Sequence, residues 1–349
     1  MNKVLVTGGA GYVGCVLVPK LLEAGYDVVV YDLMLFGSEG LPTHPNLQAI
    51  EGDIRDLRHL SSALNGVHSV IHLACISNDP SFELDPVLSQ SINYDCFEPL
   101  VAACKAAGVR RFIYASTSSV YGVSDAPEVT EDHPLVPLTD YNKYKGLCEP
   151  ILLRYQSPDF TTVVIRPATV CGYSPRMRFD LTVNILTNHA VNRGTITVFG
   201  GKQQRPNIHI EDLAELYVKL LELPDAMVAG EIFNAAYQNH TVAELAEKVR
   251  GVVEREMPSV TPLRIETSPS NDRRSYHVSS KKIAQKLGYV AERSVEQAVV
   301  DICQAFRAGK LPDSLEDDRY FNVNRIKRLG LTSAVVMRGG LATRPGAHT

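Results

Sequence analysis

No stretch of this chain reaches the roughly 20 consecutive apolar residues that a membrane-spanning helix needs. It also lacks a C-x-x-C pair, an excess of positive charge, an internal repeat and a low-complexity linker. Each absence excludes something. The seven cysteines (15, 75, 96, 104, 148, 171 and 303) are scattered and odd in number, so neither a disulfide framework nor a zinc site is expected. Several lie in apolar runs, where cysteine behaves as a small hydrophobe. A net charge of -4 gives no reason to expect nucleic acid or an anionic membrane as partner. The opening MNKVLVTGG passes from one lysine into a short strand-like run and then glycines, which does not read as a signal peptide. A reducing cytoplasm is the expected compartment.

What is present is an ordinary globular composition, with 45% apolar and 21% charged residues in 349. KVLVTG, DVVVYD, LQAIEGD, SVIHLA, RFIYAST and TTVVIRP are short, continuously apolar, β-branched runs that read as strands buried on both faces. Amphipathic stretches such as GCVLVPKLLEAG and YDCFEPLVAACKAAG separate them. Repeated strand–helix–strand units predict an α/β fold with a doubly wound parallel sheet. Past residue 172 the alternation becomes irregular. TITVFGGKQQRPNIHIEDLAELYVKLLEL reads as a hairpin feeding a strand and a helix, and helices dominate 241–330 around the strand LRIETS. The predicted organisation is a dinucleotide-binding domain over 1–172 and a substrate-binding lobe over 173–335, with elements returning to the first domain at about 205–222. The tail 336–349 lacks apolar periodicity and is expected to be frayed.

VLVTGGAGYVGCVL places Gly8, Gly11 and Gly14 between a strand and a helix. A tight turn needs glycine, and a pyrophosphate needs backbone N–H groups it can approach at a helix N-terminus. Asp32 ends the next strand, where a carboxylate can accept hydrogen bonds from an adenosine ribose. No arginine follows closely in YDLMLFG, so a 2′-phosphate would meet repulsion; NAD is expected rather than NADP. Asp53 in EGDIRD closes the third strand, either as a contact to the adenine amino group or as a turn residue.

YNKYK offers two tyrosines and two lysines, and helical geometry selects among them. Residues four apart share a helix face, so Tyr141 and Lys145 can point the same way, whereas Tyr144 would need a lysine where Cys148 stands. The strand RFIYAST ends in a run of hydroxyls that includes Thr117. Ligands of open α/β sheets bind beyond the carboxyl ends of the strands, which puts these hydroxyls where a substrate lies.

In this order, the glycine turn, Asp32, Asp53 with Ile54, HLA at 72–74, the Thr117 strand end, Tyr141-x-x-x-Lys145, RPATVCG and RPNIHIEDLA resemble the NAD-dependent epimerase/dehydratase family, extended short-chain dehydrogenases/reductases that act on nucleotide-sugars. The likeness runs from residue 1 to about 330. It implies a Rossmann domain with a smaller α/β C-terminal substrate-binding lobe. It further implies NAD held near Gly8, Gly11, Tyr12, Val13, Gly14, Asp32, Asp53, Ile54, Leu73, Ala74, Tyr141 and Lys145. By the same resemblance Tyr141 is the base that takes a sugar hydroxyl's proton while hydride passes to the nicotinamide. Lys145 supplies charge that brings a phenol of ordinary pKa about 10 toward the working range, and Thr117 holds the sugar hydroxyl.

Departures narrow the reaction. The family's 4,6-dehydratases carry Asp-Glu after the catalytic threonine, and the decarboxylating enzymes a glutamate at the second position; this chain has Ser118 and Ser119. Oxidation at C4 with hydride returned to either face is therefore expected, as in a 4-epimerase. The alternatives are a net C4 dehydrogenase, with nucleotide-heptoses among its candidate substrates, and an idle NAD-binding regulator. For the nucleotide-diphosphate sugar, Arg205 and Arg274 match diphosphate-binding arginines, and Ser77, Asn78, Thr117, Ser118, Asn184, Arg176 and Arg178 are further candidate contacts. His72 and His209 read as packed core residues, and no metal is expected. A homodimer is implied through helices near 93–107 and 140–156.

Overall fold

The computed structural model describes residues 2–270 and 274–332. The expectation for the tail 336–349 falls outside the described residues. The six predicted strands form as read: β1 (Lys3–Thr7), β2 (Asp27–Asp32), β3 (Leu47–Glu51), β4 (Val67–His72), β5 (Arg111–Ala115) and β6 (Thr161–Pro167). With a seventh strand, β10 (Glu231–Ala235), they build one parallel sheet in the order β10-β6-β5-β4-β1-β2-β3. Reversal of strand order beside β1 opens the crevice in which ligands of such sheets bind. Leu5, Val6, Val30, Ile71, Ile113 and Val164 are sealed between helical layers. β3 is the exception: at the sheet edge its residues are half-buried or exposed.

The second half departs from the sequence reading. β7 (Thr169–Cys171), β9 (Gln204–His209) and β11 (Gln238–Thr241) form one small sheet. β8 (Thr195–Phe199) does not form a hairpin with β9; it pairs in parallel with β12 (Arg264–Ser268). At Gly201 the chain turns with φ of 116°, and Gln203 ties the turn by accepting from Gly201 N–H and donating to Phe199 C=O. The two strands therefore leave in different directions. The returning segment also extends past 222, because β10 (Glu231–Ala235) adds to the edge of the main sheet in parallel with β6.

His72 closes β4, as a core residue. It lies 2.7 Å from Thr7 Oγ1 through Nδ1 and among the rings of Phe97, Phe112 and Tyr114. Burial, with Lys145 nearby, lowers its pKa to about 3. The unfolded chain, with an ordinary histidine near 6.5, binds the proton first as pH falls. The neutral ring's contribution is complete above about pH 6.5 and declines toward pH 3. Urea unfolding should show about 2 kcal/mol less stability at pH 5 than at pH 7 from this group. A His72→Gln variant should lose that share of the pH slope; an unchanged slope would refute the assignment.

Candidate active site

Two glycines make the turn after β1 irreplaceable. A Cβ on Gly8, at φ +73°, would stand 2.6 Å from Ala74 N, and one on Gly14 would stand 2.3 Å from Gly9 O. The backbone packs this closely only without side chains, and the space it leaves is bounded by Gly11, Tyr12, Val13, Leu73 and Ala74. Asp32 faces it from the end of β2. Its Oδ2 accepts from Ala10 N–H at 3.0 Å and its Oδ1 from Met34 N–H at 2.9 Å. Burial raises its pKa and these two bonds oppose the shift. Each oxygen keeps a lone pair for a further donor. A glycine cradle at a helix N-terminus beside a strand-end carboxylate fits a dinucleotide. Ile54 joins this wall. Asp53 does not: Arg55 engages both its carboxylate oxygens, at 2.5 Å from Nη2 and 3.0 Å from Nε. That pairing belongs to the turn role the sequence left open for Asp53, and its carboxylate keeps acceptor capacity for a further donor.

The cradle is one end of a continuous groove of about 710 Å³ that also exposes Thr117, Tyr141 and Lys145. Thr117 follows β5, and its Oγ1 accepts from Ser119 N–H at 3.1 Å, which leaves its own O–H to donate. Tyr141 and Lys145 lie in the helix Asp140–Arg154, which Thr139 caps. The Lys145 ammonium donates to Ala115 C=O and stands 4.6 Å from the centre of the Tyr114 ring. Burial pushes the Tyr141 hydroxyl well above an ordinary phenol; Cys75 and Asp79 add to this, while Arg178 and Arg274 pull it back. The cations acting on this phenol are thus arginines from the second half of the chain, which five-residue spacing could not reveal.

Behind the groove lies a buried ion pair that sequence reading missed. Glu149, two turns from Tyr141, takes Arg166 Nη2 at 2.6 Å and Nε at 3.0 Å, and accepts from Ser116 Oγ at 2.5 Å. Arg166 also reaches Tyr121 Oη at 2.7 Å, and Tyr121 donates to Asn234. The network joins β5, β6, β10 and the Tyr141 helix directly beneath Thr117. A Y-x-x-x-K-x-x-x-E spacing was its only signal.

At the far end, Arg178 is held by Asp180 at 2.8 Å and by Ser77 Oγ at 3.1 Å, with its Nη2 buried and unpartnered. Asn78 donates to Asp180 at 2.9 Å. Arg274 pairs with Asp79, which also accepts from Thr139 Oγ1 at 2.6 Å. Arg205 donates to the carbonyls of Gln204 and Arg274 and lines the groove. Two expected contacts point elsewhere. Asn184 is fully buried: it accepts from Gly172 N–H and donates to Tyr12 Oη and Arg178 C=O, so its amide is consumed in bracing the wall. Ser118 is 1% exposed and off the groove, whereas Ser119 lines it and accepts from Tyr276 Oη at 3.1 Å. His209 is buried as read; Nδ1 accepts from Glu211 N–H, and Nε2 lies 3.1 Å from Asp301. Among the described residues no cluster of three or more His, Cys, Asp or Glu could hold a metal, and no helix is long and apolar enough to cross a membrane.

A family model described as the NAD dependent epimerase/dehydratase family matches residues 4–236. A UDP-glucose 4-epimerase of Corynebacterium glutamicum is 30% identical over 324 residues, spanning 87% of this chain and 95% of that protein. Among solved structures, MoeE5 in complex with UDP-glucuronic acid and NAD superposes with a TM-score of 0.76 at 26% identity, covering 88% of this chain and all of that one (100%). The UDP-glucose 4-epimerase of Thermotoga maritima, solved with UDP-glucose, gives 0.77 at 25% identity, over 88% of this chain and 99% of that one.

Proposed function

The chain belongs to the NAD dependent epimerase/dehydratase family, and from that premise we propose that it is an NAD-dependent nucleotide-sugar 4-epimerase, inverting C4 through transient oxidation. The observation that carries this reading is the absence, among the described residues, of an available carboxylic acid beside Thr117. The two following positions are serines, one buried and one bonded to Tyr276. The nearby carboxylates Asp79 and Asp180 are each tied to a guanidinium. Removal of water needs an acid for the leaving hydroxyl, so the described site favours a reaction that moves only one proton and one hydride.

Bound NAD supplies the two-electron acceptor and donor. Gly8, Gly11, Gly14, Val13 and Asp32 would hold it, with Leu73, Ala74 and Ile54 as apolar walls. Thr117 donates its O–H to the sugar oxygen at C4, and Tyr141 takes that hydroxyl's proton and later returns it. Lys145, anchored on Ala115 C=O, keeps further N–H groups for a ribose hydroxyl. Arg205 and Arg274 would meet the diphosphate, and Arg178, Ser77 and Asn78 the sugar. A boundary near residue 172 between cofactor and substrate halves belongs to the same reading. So does a homodimer through the helices Phe97–Ala106 and Asp140–Arg154, the second of which leaves Leu147 40% exposed.

Purified protein mixed with a panel of nucleotide-sugars and excess NAD tests the proposal. UDP-glucose, UDP-glucuronic acid and nucleotide-heptoses belong in that panel. Chromatography with mass spectrometry should reveal a new product of unchanged mass and no accumulated NADH. A product two mass units lighter with matching NADH would replace the epimerase with a net dehydrogenase. Loss of water would overturn the argument from the two serines.

A further inference from the structure

Arg176 is a buried cation without a bonded anion. Its residue is 8% exposed, its guanidinium lies 3.5 Å from the centre of the Phe36 ring, and Nη2 donates to Asn322 Oδ1 at 2.6 Å. Its Nε is buried with no partner. Among the described residues no carboxylate forms a salt bridge with it, and Asp180, whose charge acts on it, is committed to Arg178. Burial and the like charge of Arg178 lower its pKa to about 9. A guanidinium desolvated this far is costly unless an anion completes it.

Its surroundings identify which anion. Ser174, two residues earlier, donates to Tyr12 C=O of the glycine turn at 2.8 Å, fastening the loop of Arg176 over that turn. Asp32 ends β2, Phe36 belongs to the segment after it, and a Cβ on Gly40 would lie 3.4 Å from Arg176 N. These are walls of the cofactor end, not of the Arg205–Arg274 end, so the substrate role first read for Arg176 gives way to a cofactor role. The anion that lies against a glycine turn at a helix N-terminus is the pyrophosphate.

The C-terminal helix Asn322–Leu329 holds this arrangement together. Asn322 reaches two loops at once, that after β7 through N–H to Asp180 at 3.2 Å and Oδ1 to Arg176, and that after β4 through Nδ2 to Ser77 Oγ at 2.8 Å. Arg325 Nε donates to Leu35 C=O at 2.6 Å. Val323 and Ile326 line the groove, and Ile326 and Leu331 pack into the core that includes Ile54 and Ile92. The helix thus ties together the loops after β2, β4 and β7, which surround the cradle.

We propose that Arg176 clamps the pyrophosphate of the bound dinucleotide and that the helix Asn322–Leu329 is the strap that holds the clamp closed, keeping the cofactor on the protein between turnovers. This rests on the epimerase reading only for its purpose, since an epimerase regenerates NAD in place and gains nothing from exchanging it.

The test uses the full-length chain stripped of nucleotide, with ADP-ribose and adenosine as titrants and NADH fluorescence to follow release. Arg176→Gln should weaken ADP-ribose by at least roughly tenfold and leave adenosine, which has no phosphate, unchanged. Asn322→Ala and Arg325→Ala should each speed NADH release several-fold. Circular dichroism checks folding. If Arg176→Gln fails to fold, Arg176→Lys keeps the charge without the fork and should show a smaller ADP-ribose loss. Unchanged ADP-ribose affinity in a folded Arg176 variant overturns the clamp, as does a raised KM for the nucleotide-sugar in its place. Release from the intact chain as fast as from the Asn322 and Arg325 variants overturns the strap. Neither result depends on product mass, so the clamp and the epimerase assignment can fail separately.

Discussion

Tyr141→Phe should reduce kcat by about 10³-fold or more while leaving ADP-ribose affinity unchanged. The substitution removes one oxygen from a ring that lines the groove, and Thr117, Lys145 and the glycine cradle stay in place. What is lost is a proton acceptor beside Thr117 that is not committed to a guanidinium, whereas among the described residues Asp79 and Asp180 are both paired. The pH profile sharpens the test. Tyr141 works as a base only when deprotonated, and burial raises its pKa above the ordinary phenol value. The wild-type rate should therefore climb with pH through the neutral and alkaline range. Arg178 and Arg274 oppose that rise in pKa, so Arg178→Gln should displace the climbing limb toward higher pH. Steady-state kinetics from pH 6 to 10 would measure both. Comparable kcat in Tyr141→Phe would remove Tyr141 from the chemistry.

Glu149→Ala should destabilise the protein by about 3–5 kcal/mol, although Glu149 touches no ligand. The Glu149 and Arg166 side chains are 2% and 4% exposed. Removing the carboxylate strands a guanidinium between β6 and the Tyr141 helix, and also leaves Ser116 without its acceptor. The exposed pair Arg154–Glu98, with side chains 64% and 48% exposed, is the natural control. Glu98→Ala should change stability by less than about 1 kcal/mol. Guanidinium unfolding of the two variants side by side decides the matter; equal midpoints would mean the buried pair is energetically idle.

Much of the fold could be read locally. A strand buried on both faces must be continuously apolar, and five of the six first-half strands follow that pattern, the edge strand β3 being partly exposed. The turn after β1 was equally legible, since a backbone that approaches Ala74 N to within a Cβ's reach admits only glycine at position 8. Tyr141 and Lys145 were paired by the helical period alone. β10 escaped because EIFNA adds to the edge of the sheet after an irregular stretch, with no alternation to announce it.

The family and the Thr117–Tyr141–Lys145 grouping were determined by the sequence itself, because each depends on residues close in the chain or on strand ends that the sheet brings together. Which charges are free and which are spent was decided only by tertiary structure. Asn184 offered an amide on paper and proved committed to Tyr12, 172 residues away. Arg176 and Asn322 meet across 146 residues, and nothing in their spacing announced that contact. A polar side chain's partners depend on where distant loops come to rest, and sequence spacing carries no information about that.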